Sequence, residues 1–149
     1  MADVNGSNKF PGHVSISDTT KQRASVIVRW VLLLSYASLI IFLSFQPSIP
    51  GHSRVPDKLG HALEYMLLGF LSARAFQAPG TPYRPRYLFL SWIICTIFAA
   101  LDEFVQSGVP GRDASVGDWA ADFAGISISH LLLLRRSYKE RSIACNEMS

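Results

Sequence analysis

Three short patches hold most of the side chains able to do chemistry in this chain. The first reads Asp57-Lys58-Leu59-Gly60-His61-Ala62-Leu63-Glu64-Tyr65. Spacings of four and seven put Asp57, His61 and Glu64 on one helix face, with Tyr65 a turn beyond His61. An imidazole between carboxylates can serve as general base, proton relay or metal ligand. Asp57 also fits a simple N-cap after Pro56. Glu64 does not, because it falls about two turns, ~10 Å, into the helix. The second patch is Leu101-Asp102-Glu103-Phe104-Val105-Gln106, where Asp102 and Gln106 share a face and both acids oppose the dipole of a helix C-terminus. The third begins in the loop Pro110-Gly111-Arg112-Asp113-Ala114-Ser115 and continues to Asp118 and Asp122. Ser115 and Asp118 make a capping-box-like start, which accounts for Asp118 structurally; Asp122, a turn further in, escapes that explanation.

These patches sit at the ends of apolar runs, and that placement gives them weight. The chain has 149 residues, is 49% hydrophobic and carries only 17% charged residues. A soluble domain usually carries about 25%. Runs 26–45, 59–76, 87–106 and 116–134 are each near the ~20 residues that a membrane helix needs. A carboxylate at membrane depth costs ~2.5–3.5 kcal/mol on insertion scales, so it usually faces a protein interior. The sequence therefore predicts an all-α polytopic membrane protein, an antiparallel bundle of four transmembrane helices over residues 26–134. The polar stretch 1–25 is expected to be a disordered cytoplasmic tail and 135–149 a basic cytoplasmic tail. The first run is too long for a signal-peptide core and is followed by Gln46-Pro47 rather than a small-residue cleavage site, so it reads as a retained anchor.

Charge sets the orientation. Lys9, Lys21, Arg23 and Arg29, then Arg74, Arg84 and Arg86, then Arg135, Arg136, Lys139 and Arg141 share one face of a four-span chain, which the positive-inside rule assigns to the cytoplasm. The acids gather on the other face with only Lys58, Arg54 and Arg112. Both termini are thus expected on the cytoplasmic side of the membrane. The net charge of +3 follows from this flanking pattern rather than from nucleic-acid binding. Cys95 and Cys145 form no metal or disulfide framework. Gly117, Ala121, Gly125 and Ser129 recur every four residues as a seam for close helix packing. Arg112 is expected either to neutralise the surrounding acids or to clamp an anionic group, and Lys58 poses the same choice. His13, His52 and His130 join no cluster in the sequence.

Taken in order, these pieces resemble the VanZ-like family of small bacterial membrane proteins. The resemblance rests on Asp57, Lys58, His61, Tyr65 and Gly69, on Glu103, Gln106, Pro110, Gly111 and Arg112, and on Asp118, Asp122 and Gly125. It covers residues 31–134. Asp122 stands where the family pattern often has Asn, which adds a negative charge, and Ser129 stands where a second small residue is familiar. The resemblance implies a cell-envelope role and an association with low-level resistance to the glycopeptide teicoplanin; it implies no reaction.

Two functions stay open at the level of residues. One is an outward-facing site that binds or modifies an anionic lipid or lipoglycopeptide. In an enzyme, His61, Glu64, Asp102 and Glu103 would be the catalytic candidates, with Asp57, Lys58, Tyr65, Gln106, Arg112, Asp118 and Asp122 binding the ligand. A hard divalent ion could sit on the carboxylates, whereas a lone plausible histidine and the absence of HExxH spacing argue against a zinc enzyme. The other function is a non-enzymatic membrane partner whose buried charges are structural. A proton or ion carrier ranks below both, because the cytoplasmic halves of the runs hold no matching acids.

Overall fold

The computed structural model describes residues 16–46, 57–112 and 115–146. Those residues form α1 (Ile16–Ser44), α2 (Asp57–Ala75), α3 (Pro85–Gln106) and α4 (Val116–Asn146), with no strand among them. Two helices are long and apolar enough to cross a membrane: α1 over Asp18–Ser44 and α3 over Pro85–Gln106. Their apolar side chains are mostly not packed inside the protein. Ile27, Leu34 and Phe42 of α1 and Phe89, Ile97 and Phe104 of α3 are all exposed. A core helix of a soluble protein would bury such residues, so this surface suits an apolar surrounding. The α2 and α4 helices, which carry most of the ionisable residues, fall outside that apolar pair.

Helix α1 begins before, and α4 ends after, the apolar runs read from the sequence. Residues 16–25 extend α1 rather than belonging to a disordered tail. Lys21, Gln22, Arg23 and Ala24 are good helix formers, and Asp18 in the first turn complements the dipole. Beyond position 134, α4 continues for three more turns. Tertiary contacts hold that extension: Ser137 Oγ and Arg141 Nη2 both donate to the Tyr83 carbonyl, at 2.7 and 3.1 Å.

The closest helix pair is α2 with α4, and small residues make it possible. A β-carbon on Gly125 would collide with the carbonyl oxygen of Ala62, and one on Gly69 with Ser129 Oγ. One on Gly117 would lie 2.5 Å from Lys58 Nζ. The four-residue seam read from the sequence thus faces α2 at Gly117, Gly125 and Ser129. Beside it, Tyr65, Leu68, Ala99, Cys95 and Ile126 form the apolar core with Leu33 and Ile40 of α1.

A second polar cluster lies deeper in the bundle and includes a residue that the sequence left aside. His130 is buried, with Nε2 2.9 Å from Ser91 Oγ, which in turn lies 2.9 Å from Ser72 Oγ. The Ile126 carbonyl accepts from Nδ1 at 2.9 Å, and Ser91 Oγ donates to Ser72 Oγ. His130 therefore ties α4 to α3, and Ser91 ties α3 to α2. It does join a cluster, contrary to expectation, because its partners lie on other helices inside apolar runs.

Candidate functional site

At the opposite end from the Tyr83 loop, the last turns of α1 and α3 meet the first turns of α2 and α4. Each candidate side chain there has a definite partner. Lys58 Nζ lies 3.0 Å from Asp118 Oδ1, joining α2 to α4. One turn deeper, His61 Nδ1 lies 3.0 Å from Asp122 Oδ1, and Asp122 is 1% exposed. Deeper again, the Tyr65 hydroxyl donates to Asp102 Oδ2 at 2.8 Å, joining α2 to α3. Gln106 Nε2 donates to the same Asp102 oxygen at 2.9 Å and to Ser44 Oγ of α1 at 3.3 Å. Spacings of three, four and seven along α2 thus become three rungs of polar contact to its neighbours.

Local chemistry sets up the start of α4. Ser115 Oγ accepts from the Asp118 N–H at 3.1 Å and donates to Asp118 Oδ2 at 2.6 Å, the capping contact expected from the sequence. The Ser115 N–H itself donates to Glu103 Oε1 at 2.6 Å. Glu103 therefore clamps the α3–α4 junction, while its Oε2 is buried without a hydrogen-bond partner among the described residues. Ser115→Ala removes the cap acceptor and should lower unfolding stability by about 1 kcal/mol. Lys58→Met should lower it by less than about 1 kcal/mol, because the lysine side chain is 62% exposed. Thermal unfolding of both variants in detergent checks the ranking, and an equal or larger loss for Lys58→Met would contradict it.

Arg112 makes a contact that its charge alone did not suggest. Its Nη2 donates to the Leu43 carbonyl at 2.9 Å and its Nε to the Gln46 carbonyl at 3.3 Å. It caps the C-terminus of α1, where a cation also complements the dipole. Among the described residues it makes no ion pair. Gly111, with φ of 81°, supplies the left-handed turn that directs the chain back toward α1. At the other end, Arg29 caps α2 in the same manner, donating to the carbonyls of Arg74 and Gln77.

These elements enclose a cavity of about 510 Å³, within the range of small-ligand sites. His61, Glu64, Gln106, Arg112 and Asp118 line it together with Ile40, Leu43 and Ser44. Glu64 is half-buried, and its carbonyl accepts from the Tyr36 hydroxyl at 3.3 Å. Tyr36 and Ser44 were not anticipated. The first is one aromatic residue among many in α1, and the only signal for the second is a hydroxyl just before Gln46-Pro47. The side chain of Asp57 and all of Asp113, His13 and His52 lie outside the described residues. The acids do not simply reach water: Asp102 is 6% exposed and Asp122 less.

Helices of membrane length around a polar, carboxylate-rich cavity define a small all-α protein of membrane character. The chain belongs to the VanZ/LLP1 family, whose model matches residues 10–137. That match contains every element of the cavity and extends beyond the 31–134 stretch in which the resemblance was read. No curated protein and no solved structure matches the chain.

Proposed function

We propose that the chain is a multi-pass protein of the bacterial cytoplasmic membrane, built as an antiparallel bundle of four transmembrane helices with both termini cytoplasmic. Its cavity opens on the outer face and receives the polar headgroup of an anionic lipid or of a lipoglycopeptide, giving a teicoplanin-resistance-like role in the cell envelope. The observation that carries this reading is the cavity itself, lined by polar groups from all four helices and bordered by the exposed apolar flanks of α1 and α3. Among the described residues, Lys58 and Arg112 are the lysine and arginine at that end, and the arginine-rich Tyr83 end is the one the positive-inside rule places in the cytoplasm.

A second reading, a non-enzymatic partner protein with structural charges, draws support from Arg112. Its two observed donor contacts hold α1 to the α3–α4 loop. Lipid mass spectrometry on gently purified protein separates the two. The ligand reading expects one anionic lipid class enriched over the bulk membrane, and depleted in Arg112→Ala and Lys58→Met while both variants stay folded. A lipid profile equal to bulk in the wild type and both variants favours the structural reading.

A further inference from the structure

We propose that His61, Glu103 and Asp122 together hold one divalent metal ion between α2, α3 and α4. One ligand atom from each residue, an imidazole nitrogen and two carboxylate oxygens, lies within 4.8 Å of the others. Three ligands around an ion of zinc's size lie roughly 3.4 Å apart in tetrahedral geometry, from bonds of about 2.0–2.2 Å. Within that group, His61 Nδ1 and Asp122 Oδ1 stand 3.0 Å apart.

Glu103 supplies the second, independent observation. Its Oε1 is anchored by the Ser115 N–H, and its Oε2 is buried with no hydrogen-bond partner among the described residues. A carboxylate oxygen withdrawn from water and left unmatched is unfavourable, and a cation at the meeting point of the three residues would satisfy it. The Ser115 contact then has the character of an outer-shell bond, fixing a ligand from behind. The three ligands come from three helices, so no short sequence motif advertises them.

The donor set selects the kind of ion. One imidazole nitrogen and two carboxylates suit first-row ions such as Mn²⁺ or Zn²⁺. Calcium prefers six to eight oxygens, and no thiol is present to select a soft ion. Three protein ligands leave a coordination position open, and His61 faces the cavity. A bound divalent ion would also reverse the local sign of a site otherwise dominated by carboxylates, and so draw an anionic headgroup inward. That last consequence rests on the headgroup reading above; the metal site does not.

The test uses the full chain in detergent micelles, stripped with a chelator and titrated with Mn²⁺ and with Zn²⁺ by calorimetry. The wild type should bind one equivalent saturably. Glu103→Gln and Asp122→Asn should each weaken binding by more than the roughly 10–100-fold that loss of an outer-shell partner causes. Glu140→Gln, far from the site on the exposed end of α4, should bind as wild type. Pulsed electron paramagnetic resonance on the Mn²⁺ form adds a readout that a folding defect in a variant cannot mimic: coupling to a single imidazole nitrogen in the wild type. Absence of saturable binding, binding unchanged in both carboxylate variants, or absence of nitrogen coupling each overturns the site. Metal uptake is read without lipid and lipid enrichment by mass, so either idea can fail while the other stands.

Discussion

Gly125→Val will leave little correctly folded protein. A β-carbon at this position meets the Ala62 carbonyl oxygen and lies 2.9 Å from both the Ala62 carbonyl carbon and the Met66 nitrogen. Those are backbone atoms, so no rotamer change relieves the clash and α2 must move away from α4. Overpacking a core usually costs about 1–3 kcal/mol, and a clash with main chain belongs at or beyond the upper end of that range. Separation would also pull apart the Lys58–Asp118 and His61–Asp122 contacts, which span the same interface. The matched control is Gly60→Ala, where nothing lies within 4 Å of the added carbon. Gly60 is inside α2, so alanine there should be neutral or stabilise by up to about 1 kcal/mol. Monodisperse yield and unfolding midpoint in detergent read both. Near-equal behaviour of the two variants would mean that α2 and α4 do not pack as described.

Asp102→Ala should destabilise by about 2–4 kcal/mol, because it strands two buried donors at once. The Tyr65 hydroxyl, on a residue 0% exposed, and the Gln106 amide both donate to the same carboxylate oxygen. Asp102→Asn keeps an oxygen acceptor and should lose clearly less. Tyr65→Phe combined with Asp102→Ala should cost less than the sum of the single changes, with a coupling of at least about 1 kcal/mol for groups in direct contact. Chemical unfolding of the four proteins measures that cycle. Additive effects would place Tyr65 and Asp102 apart.

What could be read directly from the sequence was local. The Ser115–Asp118 cap, the Asp102–Gln106 pair and the shared face of His61 and Glu64 follow from positions three or four apart, which helix geometry makes neighbours. The apolar runs of α1 and α3 announce themselves by composition. Contacts between helices depend on how each helix is rotated, which period alone does not fix. Tyr65 with Asp102, His130 with Ser91, and Glu103 with the Ser115 backbone are of that kind. The α4 extension was missed for a related reason: residues 135–146 look like a basic tail until the Tyr83 carbonyl offers them partners. The two hydrogen bonds of Arg112 to the open carbonyls at the end of α1 were likewise not legible, because charge points only to a carboxylate or an anionic ligand.

Labelling with a membrane-impermeant maleimide most directly tests whether the histidine, carboxylates and arginine of this bundle share one cavity facing away from the cytoplasm. Gly60→Cys, in a chain with Cys145→Ser and buried Cys95 retained, places a thiol at the cavity wall in open space. Thr81→Cys, exposed at the far end, serves as its counterpart. In intact cells or spheroplasts, Gly60→Cys should label and Thr81→Cys should label only after permeabilisation. Labelling of Thr81→Cys alone in sealed cells would contradict the account.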